Sequence, residues 1–111
     1  MIKNLSEKEE LALQDFLAKV SALFRENYLY SLLFGSKARG DAHDGSDLDV
    51  AVVLKQVDLD AKLAIYAIAY DELLENDVDI SPVIFSRELF ERQKAARFPL
   101  LREIERDMVP L

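Results

Sequence analysis

Residues 34–53 read FGSKARGDAHDGSDLDVAVV and contain all three glycines of the chain, at positions 35, 40 and 45. An apolar run stops at Gly35 (residues 29–34, LYSLLF), and another begins with two acids (residues 47–54, DLDVAVVL). Short apolar runs bounded by turn residues read as buried strands. The chain is therefore predicted to leave one strand through a Gly-Ser turn, cross a polar connection with a brief helix near residues 36–42, and enter a second strand through Asp-Leu-Asp.

The remainder fits around this core. Ser6 followed by Glu9 fits a capping box that opens a first helix, with Phe16, Leu17, Val20, Leu23, Phe24 and Tyr28 on one apolar face. Asp58 or Asp60 caps a second long helix, closed near Asn76. Residues 78–85 (VDISPVIF) read as a third strand, and Pro82 within it calls for an edge, a bulge or the end of pairing. Ser86 caps a helix to about Arg97, and Pro99 opens a last helical turn or two. The order is α-β-α-β-α-β-α. This is an α+β (α/β-like) architecture, with a small mixed sheet of three strands or slightly more covered by helices, in one domain over residues 1–111.

Composition sets limits on partners. Fourteen Lys and Arg face 21 Asp and Glu, for a net charge of -7. An acidic surface repels phosphate backbones, so an extended nucleic-acid footprint is not expected. A single nucleotide remains compatible, since divalent metal ions bridge carboxylates to phosphates. With no cysteine, neither disulfides nor thiolate metal sites can form. No run reaches the roughly 20 apolar residues of a membrane span, and no signal peptide is apparent, so a cytoplasmic protein is expected.

Gly35 permits close backbone approach, and a following helix start offers free N–H groups to an anion, with Ser36 adding a hydroxyl and Lys37 or Arg39 charge. Taken alone, Gly-Ser is better accounted for by an ordinary loop. Asp47 and Asp49, two apart on a strand, point to one face and repel unless a cation lies between them. The plainer account is an exposed strand start. Asp79 lies between Val78 and Ile80, on a solvent face or in a site. If the second and third strands are neighbours, it can lie beside Asp49 and complete a three-carboxylate cluster suited to Mg²⁺ or Mn²⁺.

GSKARGDAHDGSDLDV followed by VDIS resembles the motif of the DNA polymerase beta-like nucleotidyltransferase superfamily: Gly-Ser, ten residues, Asp-x-Asp, and a later strand Asp. GSxARG and SDLDV in so short a chain are similar to the minimal nucleotidyltransferases, many of them antitoxins of HEPN-type RNase toxins. The resemblance covers essentially the whole chain, and nothing at these positions departs from the pattern. It implies the nucleotidyltransferase fold and two Mg²⁺ ions, or Mn²⁺ in their place. Gly35 and Ser36 would hold the β- and γ-phosphates of a nucleoside triphosphate, with Arg39 a phosphate contact or loop brace. Asp47 and Asp49 would ligate metal, and Asp79 would ligate the catalytic metal and help activate the incoming hydroxyl. The implied reaction moves AMP from ATP to a hydroxyl, a tyrosine of the toxin. A small-molecule acceptor, and a non-catalytic antitoxin acting by contact alone, are the competing readings.

Other residues receive no catalytic role. His43, the lone histidine, sits in a polar turn with Asp41 and Asp44. Arg87, Arg92, Lys94 and Arg97 read as a solvated basic face. Residues 63–70 (LAIYAIAY) are apolar without interruption, more than one buried helix face requires. Leu63, Ala67 and Tyr70 share one face, and Ile65, Ala69 and Tyr66 are placed on another; one of the two is expected to meet a partner.

Overall fold

The computed structural model describes residues 2–41 and 46–111. His43 and Asp44 lie outside the described residues. Helix α1 (Glu7–Phe24) starts at the expected capping box: Ser6 accepts from the Glu9 amide, and the Glu9 carboxylate accepts from the Ser6 amide. After a 3-10 turn come strand β1 (Tyr28–Phe34), the short helix α2 (Ser36–Arg39), strand β2 (Leu48–Leu54) and helix α3 (Leu59–Asn76). Strand β3 (Ile80–Ser86), helices α4 (Arg87–Ala95) and α5 (Pro99–Asp107), and a two-residue strand β4 (Val109–Pro110) follow.

The caps follow the sequence signals. Asp58 accepts from the Ala61 amide at the head of α3, and Ser86 from the Leu89 amide at the head of α4. The end of α3 differs by one residue, because Asp77, not Asn76, takes the left-handed conformation that closes it. Helix α4 stops at Ala95, short of the expected Arg97.

The sheet order is β3-β2-β1-β4. β1 runs antiparallel to both β2 and β4, while β2 and β3 are parallel, joined by α3 as the crossover. Pro82 sits on the edge strand, where a missing N–H costs least. β4 went unforeseen because two residues carry no readable periodicity; it is held by pairing of Val109 with Leu33 and by the Leu111 amide donating to the Ser31 carbonyl.

Alternation along β2 divides the core in two. Leu48, Val50, Val52 and Leu54 face one layer with Leu13, Phe16, Val20 and Ile65 of α1 and α3. Ala51 and Val53 face the other with Phe90, Leu101 and Ile104 of α4 and α5. Fully burying a side chain of this size is worth about 1.5–3 kcal/mol, so these two clusters dominate the stability.

Between α1 and α3 lies a buried acid. Glu72 is fully buried; Asn76 donates to its Oε1, and no hydrogen bond reaches Oε2. Burial, reinforced by contact with the Asp15 carboxylate, raises the Glu72 carboxyl above its ordinary value, while Lys19 Nζ stands 2.9 Å from Asp15 and 3.6 Å from Glu72.

α3 buries a single face. Ile65 and Ala69 are in the core, whereas Leu63, Tyr66 and Tyr70 are exposed, so Tyr66 belongs with Leu63 and Tyr70 and not with Ile65. At 100° per residue, Tyr66 is carried well away from its neighbour Ile65.

Candidate active site

β1 ends in Phe34, which pairs with Asp49 of β2, so the chain leaves the sheet beside that carboxylate. Gly35 turns it with φ +77°, and a Cβ there would collide with the Asp49 carboxylate. The sequence explains Gly35 by close approach to a ligand. The structure adds a nearer cause: only glycine leaves room for Asp49. The Gly35 carbonyl accepts from the Ala38 and Arg39 amides, which curls the chain into α2 with Ser36 at its head.

Asp49 lies on the Ala51 and Val53 side of the sheet, facing the α4–α5 layer. Burial raises its pKa first, the charges of Asp47 and Glu103 add to this, and Arg39 opposes it. Glu103, on α5, was not singled out in the sequence; nothing in REIERD marks one acid above its neighbours, and only packing of α5 brings it near.

Asp47 is exposed, one residue before β2, and Asp79 is exposed, one residue before β3. The parallel register sets Leu48 against Ile80 and Asp49 against Ser81, and the Leu48 amide donates to the Asp79 carbonyl at 2.9 Å. Asp79 is thereby placed across from Asp47, not beside Asp49 as adjacency alone suggested. The two carboxyls stand side by side on neighbouring strand ends, and the Asp47 pKa is raised by desolvation first and by the neighbouring Asp79 next.

Carboxylates brought side by side repel each other, and a hard divalent cation relieves that repulsion. Two carboxylates from this end of the sheet, Asp47 with one neighbour, fit Mg²⁺ in chemistry, and the expected three-carboxylate cluster does not form. Among the described residues no three acidic or histidine side chains converge as a finished metal cage. An ion held here would draw its remaining ligands from water and substrate phosphates, as Mg²⁺ commonly does.

The nearby cations are already engaged. Arg39 bonds Asp41 through Nε at 3.1 Å and Asp107 through Nη1 at 2.7 Å, and the Asp107 side chain is nearly fully buried. Lys37 Nζ lies 2.7 Å from the Glu9 carboxylate. In this arrangement Arg39 braces α2 against the end of α5. The late basic residues are likewise paired locally, Arg92 with Glu88 and Lys94 with Glu91. Beside Asp79 a cleft of about 480 Å³ opens, lined by Ser6, Lys8, Lys37, Ser46 and Leu73 among others.

The sequence matches the family described as Polymerase beta, Nucleotidyltransferase over residues 6–98. The chain belongs to this nucleotidyltransferase family. A relative from Methanocaldococcus jannaschii, provisionally named protein adenylyltransferase MJ0141, is 34% identical over 76 residues, covering 68% of this chain and 77% of the relative. Among solved structures, a toxin-antitoxin with AMP-PNP superposes with TM-score 0.59 at 19% identity, covering 87% of this chain and 70% of that one. A variant of the toxin-antitoxin MntA-HpeT gives 0.58 at 19%, covering 85% and 68%. At such identities these structures speak for the fold alone. The nucleotidyltransferase has no helix, among the described residues, long and apolar enough to cross a membrane.

The two uses of Arg39 are separable. As a brace, Arg39→Ala and Asp107→Asn should each lower Tm by a few degrees, and the double variant should lose little more. Arg106 and then Arg39 hold the Asp107 carboxyl below its ordinary 3.8, so their stabilisation is present at neutral pH and lost as pH falls through the lowered value. If Arg39→Ala instead weakens nucleotide binding in titration calorimetry while Asp107→Asn does not, Arg39 serves the phosphates.

Proposed function

We propose that this nucleotidyltransferase moves AMP from ATP to a protein hydroxyl, a tyrosine of a HEPN-type RNase toxin, and so acts as its antitoxin. One observation carries the reading: Asp47 and Asp79 in mutual contact, with Asp49 packed against Gly35, at the open end of the sheet. Mutually repelling acids on a sheet face are costly unless a cationic ligand uses them.

Gly35 and Ser36 would grip the β- and γ-phosphates through the backbone at the head of α2 and the Ser36 hydroxyl. Asp47 and Asp49 would hold Mg²⁺, which supplies charge neutralisation at the phosphates and polarises the α-phosphorus. Asp79 would orient the acceptor hydroxyl and take up its proton through hydrogen-bond contact. The acceptor oxygen bonds to the α-phosphorus, the bond from that phosphorus to the bridging oxygen breaks, and pyrophosphate leaves with the electron pair. The toxin-antitoxin context of the structural neighbours and the name of the archaeal relative support a protein acceptor.

The chain, mixed with its partner toxin, ATP and Mg²⁺, is expected to add one AMP mass or a small multiple to the toxin. Toxin RNase activity should fall in step with modification, as mass spectrometry beside an RNA-cleavage assay would show. Full silencing without nucleotide, and with no mass gained, would establish contact-only neutralisation.

A further inference from the structure

The outer side of α3 is not accounted for by catalysis. Its inner side is spent on the core through Ala61, Ile65, Ala69 and Glu72. On the outer side Leu59, Leu63, Tyr66, Tyr70 and Leu73, with Leu74 beside them, are 37–69% exposed. The first five recur at intervals of four, three, four and three residues. That is the a/d spacing of a seam between two helices, and a helix that packs only onto a sheet does not need it. Its composition is unusual as well, since Tyr66 and Tyr70 are of the type enriched at interface centres.

Two further observations choose the occupant. The six side chains, each more than a third exposed, form one continuous apolar stripe along the helix, the kind of exposed patch that marks a protein interface. The stripe is also self-complementary when inverted. With two α3 helices antiparallel and the two-fold axis at Tyr66, Leu59 faces Leu73 of the second copy, Tyr66 faces its own counterpart, and Leu63 lies within one residue of level with Tyr70. Every layer is then apolar against apolar, and the helix dipoles oppose favourably. The stripe lies on the α1–α3 layer, whereas Asp49 faces the α4–α5 layer, so a second copy there leaves the carboxylates open to an acceptor. Only Leu73, at the far end, also borders the cleft beside Asp79.

We infer that α3 is the two-fold seam of a homodimer, built on Leu59, Leu63, Tyr66, Tyr70 and Leu73. The inference is independent of the acceptor. A net charge of -7 per copy opposes association. Screening should therefore strengthen the dimer as salt rises, the reverse of an ion-pair interface.

Sedimentation of the isolated chain at micromolar concentrations, in low and high salt, is expected to give twice the monomer mass with tighter association in high salt. Tyr66→Glu and Leu63→Glu should weaken association by about a hundredfold or more, the scale of a central hot spot, while circular dichroism and Tm remain those of a folded chain. Because the chain has no cysteine, Tyr66→Cys offers a geometric check. It should oxidise to a disulfide-linked dimer, which Leu59→Cys alone should not do, and Leu11→Cys on exposed α1 serves as the collision control. A wild-type chain that stays monomeric at both salt strengths overturns the proposal, as does a Tyr66→Glu variant that keeps the dimer mass. Tyr66→Cys cross-linking no faster than Leu11→Cys does so too. Monomeric behaviour alone, with toxin capture lost in Tyr66→Glu, would reassign the stripe to the toxin.

Discussion

Asp47→Asn and Asp49→Asn will each reduce nucleotide transfer by roughly two to three orders of magnitude or more, the scale on which removal of a single charge-stabilising group acts in an active site. The fold should survive both changes. Asp47 is exposed at the head of β2, and the Asp49 carboxylate lies at the end of the core, not within it. Both carboxyls are raised above their ordinary value of 3.8, so the metal-free folded state binds protons more tightly than the unfolded chain. Stability is then lost as pH rises from the unfolded value through the raised ones. In chelator, each Asn variant should melt at or above the parent at neutral pH, and the difference should vanish near pH 4. Full activity in both variants would remove these acids from the site. A fall in Tm typical of a core substitution would show that the acids hold the fold instead.

Gly35→Ala is the second large effect, and it acts on fold and chemistry together. Gly35 has φ +77° and ψ -160°, a region essentially confined to glycine, where any other residue costs about 1–3 kcal/mol. The added methyl would also strike the Asp49 carboxylate and force it aside. Tm should fall by roughly 5–15 °C, taking about 4–8 °C per kcal/mol for a domain near this size. Transfer should fall nearly as far as in Asp49→Asn. The two causes can be separated. In an Asp49→Ala background the collision disappears while the backbone strain stays, so Gly35→Ala should cost less there, by about 1 kcal/mol. Equal costs in both backgrounds would mean that Gly35 and Asp49 are not in contact.

Local chemistry was legible wherever one residue decides it. Ser6, Ser86 and the choice of Asp58 or Asp60 announced three helix starts, with Asp58 the one that caps, because a side-chain oxygen accepting an amide is a short-range event. Pro82 called for an edge, a bulge or the end of pairing, and the edge is the one the structure takes. Gly-Ser and Asp-x-Asp marked the polar connection between two apolar strands, which the structure places at the ends of β1 and β2. What stayed hidden depends on residues far apart in the chain. Arg39 meets Asp107, 68 positions away, and Asp49 feels Glu103, with no sequence sign of either pairing. The partner of Asp79 also differed, because strand adjacency leaves the register open and the register sets Asp79 beside Asp47.

That register has a kinetic consequence. Asp47 and Asp79 meet only when Leu48 lies against Ile80. A slip of one residue between β2 and β3 would send Asp79 to the opposite face and turn Ile80 and Ile84 out of the core. No mis-threaded molecule could then be merely slow. A preparation damaged by heat or refolding should contain fewer working molecules of unchanged turnover, and active-site titration would count the correctly threaded ones.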